Sequence, residues 1–181
     1  MEEIINEIIF PKEKYNEVIK HCLFKLDCKE LAQQQAYGFI GGKICEQGLY
    51  IEQVAPLIIN HRAKDGPTKK YMDDALNMYA LPTTIPNEER AWFADPFESK
   101  TIIDSFEKNN LQLVGTYHMH HMALMILKEV ALWELPSKLD TYLAKDTELF
   151  MFIVEATDPL KLKIRAFYEG CLNKEVQIKI V

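Results

Sequence analysis

The stretch Leu111–His121, LQLVGTYHMHH, decides how this chain reads. Leu111 to Tyr117 predicts a buried strand that runs straight into a cluster of histidines. On a strand, residues two apart share a face, so His118 and His120 converge on one point while Met119 turns away. Neutral imidazole is the commonest metal ligand, and two at this spacing make half of a zinc site. Downstream lies Pro136-Ser137-Lys138-Leu139-Asp140, with the proline suited to a first helical turn. On a helix Ser137 and Asp140 share a face, so a hydroxyl and a carboxylate are presented together. Two histidines and one aspartate leave a fourth zinc position open, the arrangement of a catalytic rather than a structural site. The plain alternative is that the histidines are ordinary surface residues and that Ser-x-x-Asp is a common helix N-terminal pattern.

Working outward, Ile4–Phe10 is a short apolar segment that stops at Pro11, the pattern of an edge strand. From Glu13 to Leu26, Tyr15, Val18, Ile19, Cys22, Leu23 and Leu26 fall at helical spacing. Ala36–Ile44 is strand-like but carries Gly38, Gly41 and Gly42, which mark a bulge or a close backbone approach. Leu49–Ile59 completes a hairpin with it. Residues 61–92 are turn-rich and polar around one helical stretch, Tyr71–Tyr79, and read as an insertion. Pro96–Lys108 is a helix with Asp95 as its N-cap. Pro136–Ala144 is another, Leu149–Val154 a strand buried on both faces, and Leu162–Tyr168 and Val176–Val181 two more strands. Helices and strands interleave, which argues for a sheet covered by helices.

The chain has 181 residues, 48% of them hydrophobic and 27% charged, the composition of an ordinary globular domain. A net charge of -6 argues against a phosphate-neutralising surface, so no nucleic acid is expected as partner. Cys22, Cys28, Cys45 and Cys171 show no framework spacing and read as reduced thiols of a cytoplasmic protein. The N-terminus has no basic segment, and no stretch approaches the ~20 apolar residues that span a bilayer, so no membrane is expected. There is no HExxH helix, no HxE…PCxxC pattern, no GxSxG elbow and no P-loop.

Gly115-Thr116-Tyr117-His118-Met119-His120, followed by Ser137-x-x-Asp140, resembles the G-x-x-H-x-H…S-x-x-D signature of the JAMM (MPN+) zinc metalloproteases. Tyr37-Gly38-Phe39-Ile40-Gly41 resembles that family's first core strand, and Asn60 the asparagine closing the second. Phe93-Ala94-Asp95-Pro96 and Ile164-Arg165-Ala166-Phe167 follow in the corresponding order. The resemblance covers nearly the whole chain. It implies one domain, residues 1–181, with insertions at about 61–92 and 121–132. The implied fold is α/β, a mixed β-sheet flanked by helices of the cytidine-deaminase-like kind. The implied chemistry is hydrolysis of a peptide or isopeptide bond after the C-terminus of ubiquitin or a ubiquitin-like protein. Zn2+ would be held by His118, His120 and Asp140, with Ser137 donating a hydrogen bond to the developing oxyanion.

Two departures stand out. His121 replaces the proline that usually follows the second histidine, and sixteen residues separate His120 from Ser137, more than the family's spacing. The extra segment is apolar and reads as a flap, a partner surface or an inserted turn of helix. The second departure is Gln35, which stands where the family carries a glutamate that acts as general base and acid toward the attacking water. An amide cannot take a proton, and losing a positioned base costs ~10²–10⁴-fold in rate. The chain therefore reads as an isopeptidase silenced at position 35, with a non-catalytic module that recruits a ubiquitin-like partner as the alternative. Glu46 and Glu134 are the other carboxylates considered for that role.

Overall fold

The computed structural model describes residues 5–30, 33–46, 48–62, 64–80, 85–121 and 135–181. In chain order these form β1 (Glu7–Phe10), α1 (Lys12–Leu26), β2 (Tyr37–Cys45), β3 (Gly48–Pro56), α2 (Pro67–Tyr79), α3 (Pro96–Lys108), β4 (Gln112–His121), α4 (Lys138–Ala144), β5 (Phe150–Ala156), β6 (Lys163–Tyr168) and β7 (Glu175–Ile180). The strands pair in the order β1-β3-β2-β4-β5-β6-β7, and β7 returns to β1, so the sheet closes into a barrel. Three pairings are parallel, β1 with β3, β1 with β7 and β4 with β5; the rest are antiparallel.

This corrects the expected fold class. The α/β sheet flanked by helices, cytidine-deaminase-like, is replaced by a closed barrel of seven strands with four α-helices among the described residues. The physical reason lies in β1. Pro11 ends the strand but sits outside it, capping α1, so every residue of Glu7–Phe10 keeps its ladder with β7 while Ile8 and Ile9 also pair with Leu49 and Tyr50. A strand bonded on both sides is not an edge, and full closure removes edges altogether.

The interior holds Ile8, Phe10, Ile40, Leu49, Ile51, Tyr117, Phe152 and Val154, and α1 adds Val18 and Cys22 to the same cluster. β5 serves two cores at once. Phe150, Phe152, Val154 and Ala156 face the interior, whereas Met151 and Ile153 pack outside with Phe167 and with Ala144 of α4. This is why LFMFIV reads as a continuous apolar run. The glycines of β2 do what their positions suggested. Its register shifts at Gly41/Gly42 against β3, and a Cβ on Gly38 would lie 2.1 Å from the Tyr117 ring. No helix among the described residues is long and apolar enough to cross a membrane.

Candidate metal centre

A bulge aims the histidines. Opposite β2, Ile40 pairs with Gly115 and Gly41 with Leu113, so Val114 is an extra residue on β4 and the alternation restarts after it. Tyr117 and Met119 then point into the barrel, both almost fully buried, and His118 and His120 point to its outer face. The third member arrives from α4. Ser137 is the N-cap of that helix: its Oγ accepts from the Asp140 amide at 3.1 Å, and Asp140 Oδ2 accepts from the Ser137 amide at 2.7 Å. Thr141 Oγ1 donates to the carbonyl of Gly170 at 2.7 Å and ties the helix to the β6–β7 turn. So restrained, Asp140 lies with its carboxylate oxygens 3.4 Å from His118 Nε2 and 3.4 Å from His120 Nε2, while the two Nε2 atoms are 2.9 Å apart.

Taking one ligand atom from each residue, the three donors lie within 4.8 Å of one another. Zinc bonds of about 2.0–2.2 Å in tetrahedral geometry place ligand atoms roughly 3.3 Å apart, so a cation would draw them slightly together. The donor set, two imidazoles and one carboxylate, is also the set zinc takes. Electrostatics favour the ligating protonation states. Burial pushes His118 down to about 4, with His120 adding to the effect and Asp140 opposing it. Burial alone would raise Asp140, but the His118 charge and the hydrogen bonds and charge of His120 outweigh it and hold the carboxyl below its ordinary range. At neutral pH His118 is therefore neutral and Asp140 ionised, as metal binding requires.

The triad lies in a pocket of about 760 Å³ on the outside of the barrel, walled by β2, β4, α4 and the segment around Arg90–Trp92. Tyr37, the register partner of His118, stacks on its imidazole at 5.5 Å, and Trp92 stacks on the other member, Tyr37, at 5.2 Å. The Trp92 wall is clipped from behind. Arg62, buried, donates Nε to the Arg90 carbonyl at 3.0 Å and Nη2 to the Asn87 carbonyl at 2.9 Å, and pairs with Asp73. Asn60 Oδ1 accepts from the Phe93 amide at 2.9 Å. Two polar atoms of the wall, Gln35 Oε1 and Trp92 Nε1, are buried with no partner among the described residues. Leaving such a group unpaired costs about 1–3 kcal/mol.

No family model and no curated protein matches this chain. Solved structures do. A protein from Desulfitobacterium hafniense, determined in solution, is 20% identical with a TM-score of 0.60, over 96% of this chain and 92% of its own. A second, from Salinibacter ruber, is 16% identical with a TM-score of 0.51, over 95% and 89%. At these identities the likeness concerns fold, and neither protein's name states an activity. The JAMM identification is corrected accordingly. No family model supports it, and the closed seven-strand barrel departs from the open flanked sheet that it implied.

The residues singled out in the sequence nonetheless meet in space. His118, His120, Ser137, Asp140 and Gln35 all line the one pocket. Among its described lining residues Asp140 is the sole carboxylate. Glu46 is exposed beyond the far end of β2 from Tyr37, while Glu134 and all but the first residue of 121–132 lie outside the described residues. Tyr37 and Trp92 were missed. Trp92 falls at the end of 61–92, which reads as polar insertion, and no local pattern ties a tryptophan there to a histidine on β4.

Proposed function

We propose that this protein holds zinc through His118, His120 and Asp140 and acts on an amide carbonyl, as a zinc-dependent hydrolase of the peptidase or isopeptidase kind slowed by Gln35. The observation that carries the reading is the convergence of these three donors inside a large pocket. A zinc ion there would supply Lewis-acid polarisation of the carbonyl and a nucleophile at neutral pH. The chain's own residues supply the rest. Ser137 keeps its hydroxyl hydrogen while its oxygen accepts the Asp140 amide, so it can donate to charge developing on the carbonyl oxygen. Gln35 has no proton to exchange, which leaves the leaving amine without an acid. The substrate class is an amide bond, and nothing in the described pocket lining selects a ubiquitin-like partner. Cytoplasmic residence belongs to the same proposal, supported by four free thiols.

The test is zinc content with the Gln35→Glu variant. Protein purified without chelator should carry close to one zinc per chain and His118→Ala almost none. Gln35→Glu should raise chelator-sensitive hydrolysis of a fluorogenic peptide amide by about 10²–10⁴-fold. Zinc-free wild-type protein, or equal rates at position 35, would defeat the reading.

A further inference from the structure

We propose that the Tyr37 hydroxyl is a catalytic hydrogen-bond donor to the substrate's carbonyl oxygen, which gains negative charge as the amide is attacked. The proposal rests on the zinc-hydrolase reading and assigns a residue that the reading left unused.

Strand register places the phenol beside the triad. Tyr37 of β2 is the Cα partner of His118 of β4, so both side chains leave the same face of the sheet. Their rings are nearly parallel, 17° apart, with centroids separated by 5.5 Å. A phenol is longer than an imidazole. The Tyr37 hydroxyl therefore extends further from the sheet than His118 Nε2, the atom that lies 3.4 Å from Asp140. An O–H···O bond takes about 2.7 Å, so a ring separation of twice that leaves room for one oxygen atom between the hydroxyl and the three ligand atoms. Burial pushes the phenol's pKa up and the nearby Asp140 charge adds to the rise, so the hydroxyl keeps its hydrogen and serves as a donor.

The hydroxyl is open to the cavity. Tyr37 is half-buried and lines the pocket of about 760 Å³. Among the described residues, the side-chain polar atoms both shut off from solvent and unbonded are Gln35 Oε1, Arg62 Nη1 and Trp92 Nε1. The Tyr37 oxygen is not one of them, and no hydrogen bond to a described residue occupies it. Its place is fixed in advance. Trp92 stacks on the same ring at 5.2 Å and 25°, and the Leu57 amide donates to the Tyr37 carbonyl at 2.9 Å. What remains free is rotation of the hydroxyl hydrogen, and a donor so preorganised acts most strongly on charge that appears only during reaction. Ser137 comes from α4 and Tyr37 from β2, so the two donors stand on different walls of the pocket.

Tyr37→Phe removes the hydroxyl and keeps the aromatic stack. The experiment compares this variant with wild type, both full-length and zinc-loaded, in binding the phosphinic analogue of the fluorogenic peptide. Its tetrahedral, anionic phosphinate stands in for the attacked amide. Zinc content and Tm should match, and the variant should bind the phosphinate about ten- to a hundredfold more weakly. In the Gln35→Glu background, Tyr37→Phe should lower kcat on the peptide amide by about 10²–10³-fold with KM little changed. In wild type carrying [ζ-13C]tyrosine, one of the eight tyrosine resonances should shift on phosphinate binding, and it should be the one missing from Tyr37→Phe. Equal phosphinate affinity in the two proteins, or an unmoved Tyr37 resonance at saturation, overturns this proposal alone. Loss of zinc in Tyr37→Phe overturns it too, because the residue would then act by orienting His118. Wild-type protein that holds no zinc, or holds zinc and does not bind the phosphinate, overturns the hydrolase reading and this proposal together.

Discussion

Asp140→Asn separates the metal role of the carboxylate from its structural role. The amide side chain is isosteric, and its oxygen can still accept the Ser137 amide that Asp140 Oδ2 accepts at 2.7 Å, while the backbone amide still donates to Ser137 Oγ. The capping box of α4 therefore survives, and without metal the variant should stay within about 1 kcal/mol of wild type. Zinc changes the outcome, because the donors belong to two elements, β4 and α4, that the ion would join. Structural zinc binding of about 10–16 kcal/mol over four ligands is roughly 2.5–4 kcal/mol per ligand, or 10²–10³ in affinity for the lost carboxylate. At free zinc about 1,000 times the wild-type Kd, wild type gains about 4.1 kcal/mol, which for a domain of this size is roughly 8–16 °C in Tm. The variant at the same zinc concentration gains about 0.4–1.4 kcal/mol, roughly 1–6 °C. Thermal unfolding followed by circular dichroism, with zinc and with EDTA, reads both numbers. An Asp140→Asn shift equal to the wild-type shift would refute the carboxylate as a ligand, and a wild-type Tm indifferent to zinc would refute the site.

Two further expectations concern the barrel that carries the site. His21 Nδ1 lies 2.7 Å from the Tyr117 hydroxyl, and burial, reinforced by the Lys25 charge, depresses its pKa to about 4. The folded pKa is below the unfolded value of about 6.5, so this stability is fully present above pH 6.5 and is lost as pH falls through 4. Discounted for the solvent around a ring that is partly exposed, the loss is about 1–2 kcal/mol. Urea unfolding between pH 7.5 and 4.5 should show it, and a His21→Gln variant with an unchanged slope would assign the effect elsewhere. Gly38→Ala should destabilise by about 1–3 kcal/mol, because its Cβ would lie 2.1 Å from the ring of fully buried Tyr117, whose hydroxyl is engaged by His21. A variant that unfolds at the wild-type urea midpoint would show that the ring moves freely.

What the sequence determined by itself was local. The helical spacing of Val18 and Cys22, the Asp95-Pro96 start of α3, the double burial of β5 and the shared face of His118 and His120 each depend on residues within a few positions of one another. The Ser-x-x-Asp pattern was legible in both its senses, since the capping box that it signals is also what points the Asp140 carboxylate at the histidines. Closure of the barrel was not legible. Ile8 pairs with Ile178 across nearly the whole chain, and the alternation of apolar residues that marks a strand says nothing about which strand lies beside it. The JAMM resemblance was built on the order of such local signals, and order does not distinguish an open sheet from a closed one. The walls of the pocket were equally a matter of tertiary structure. Gln35 meets Glu89, and Trp92 meets Tyr37, through contacts between segments more than fifty residues apart in the chain. Periodicity and capping act over one or two turns of backbone, whereas partners across a barrel are chosen by the summed packing of all seven strands.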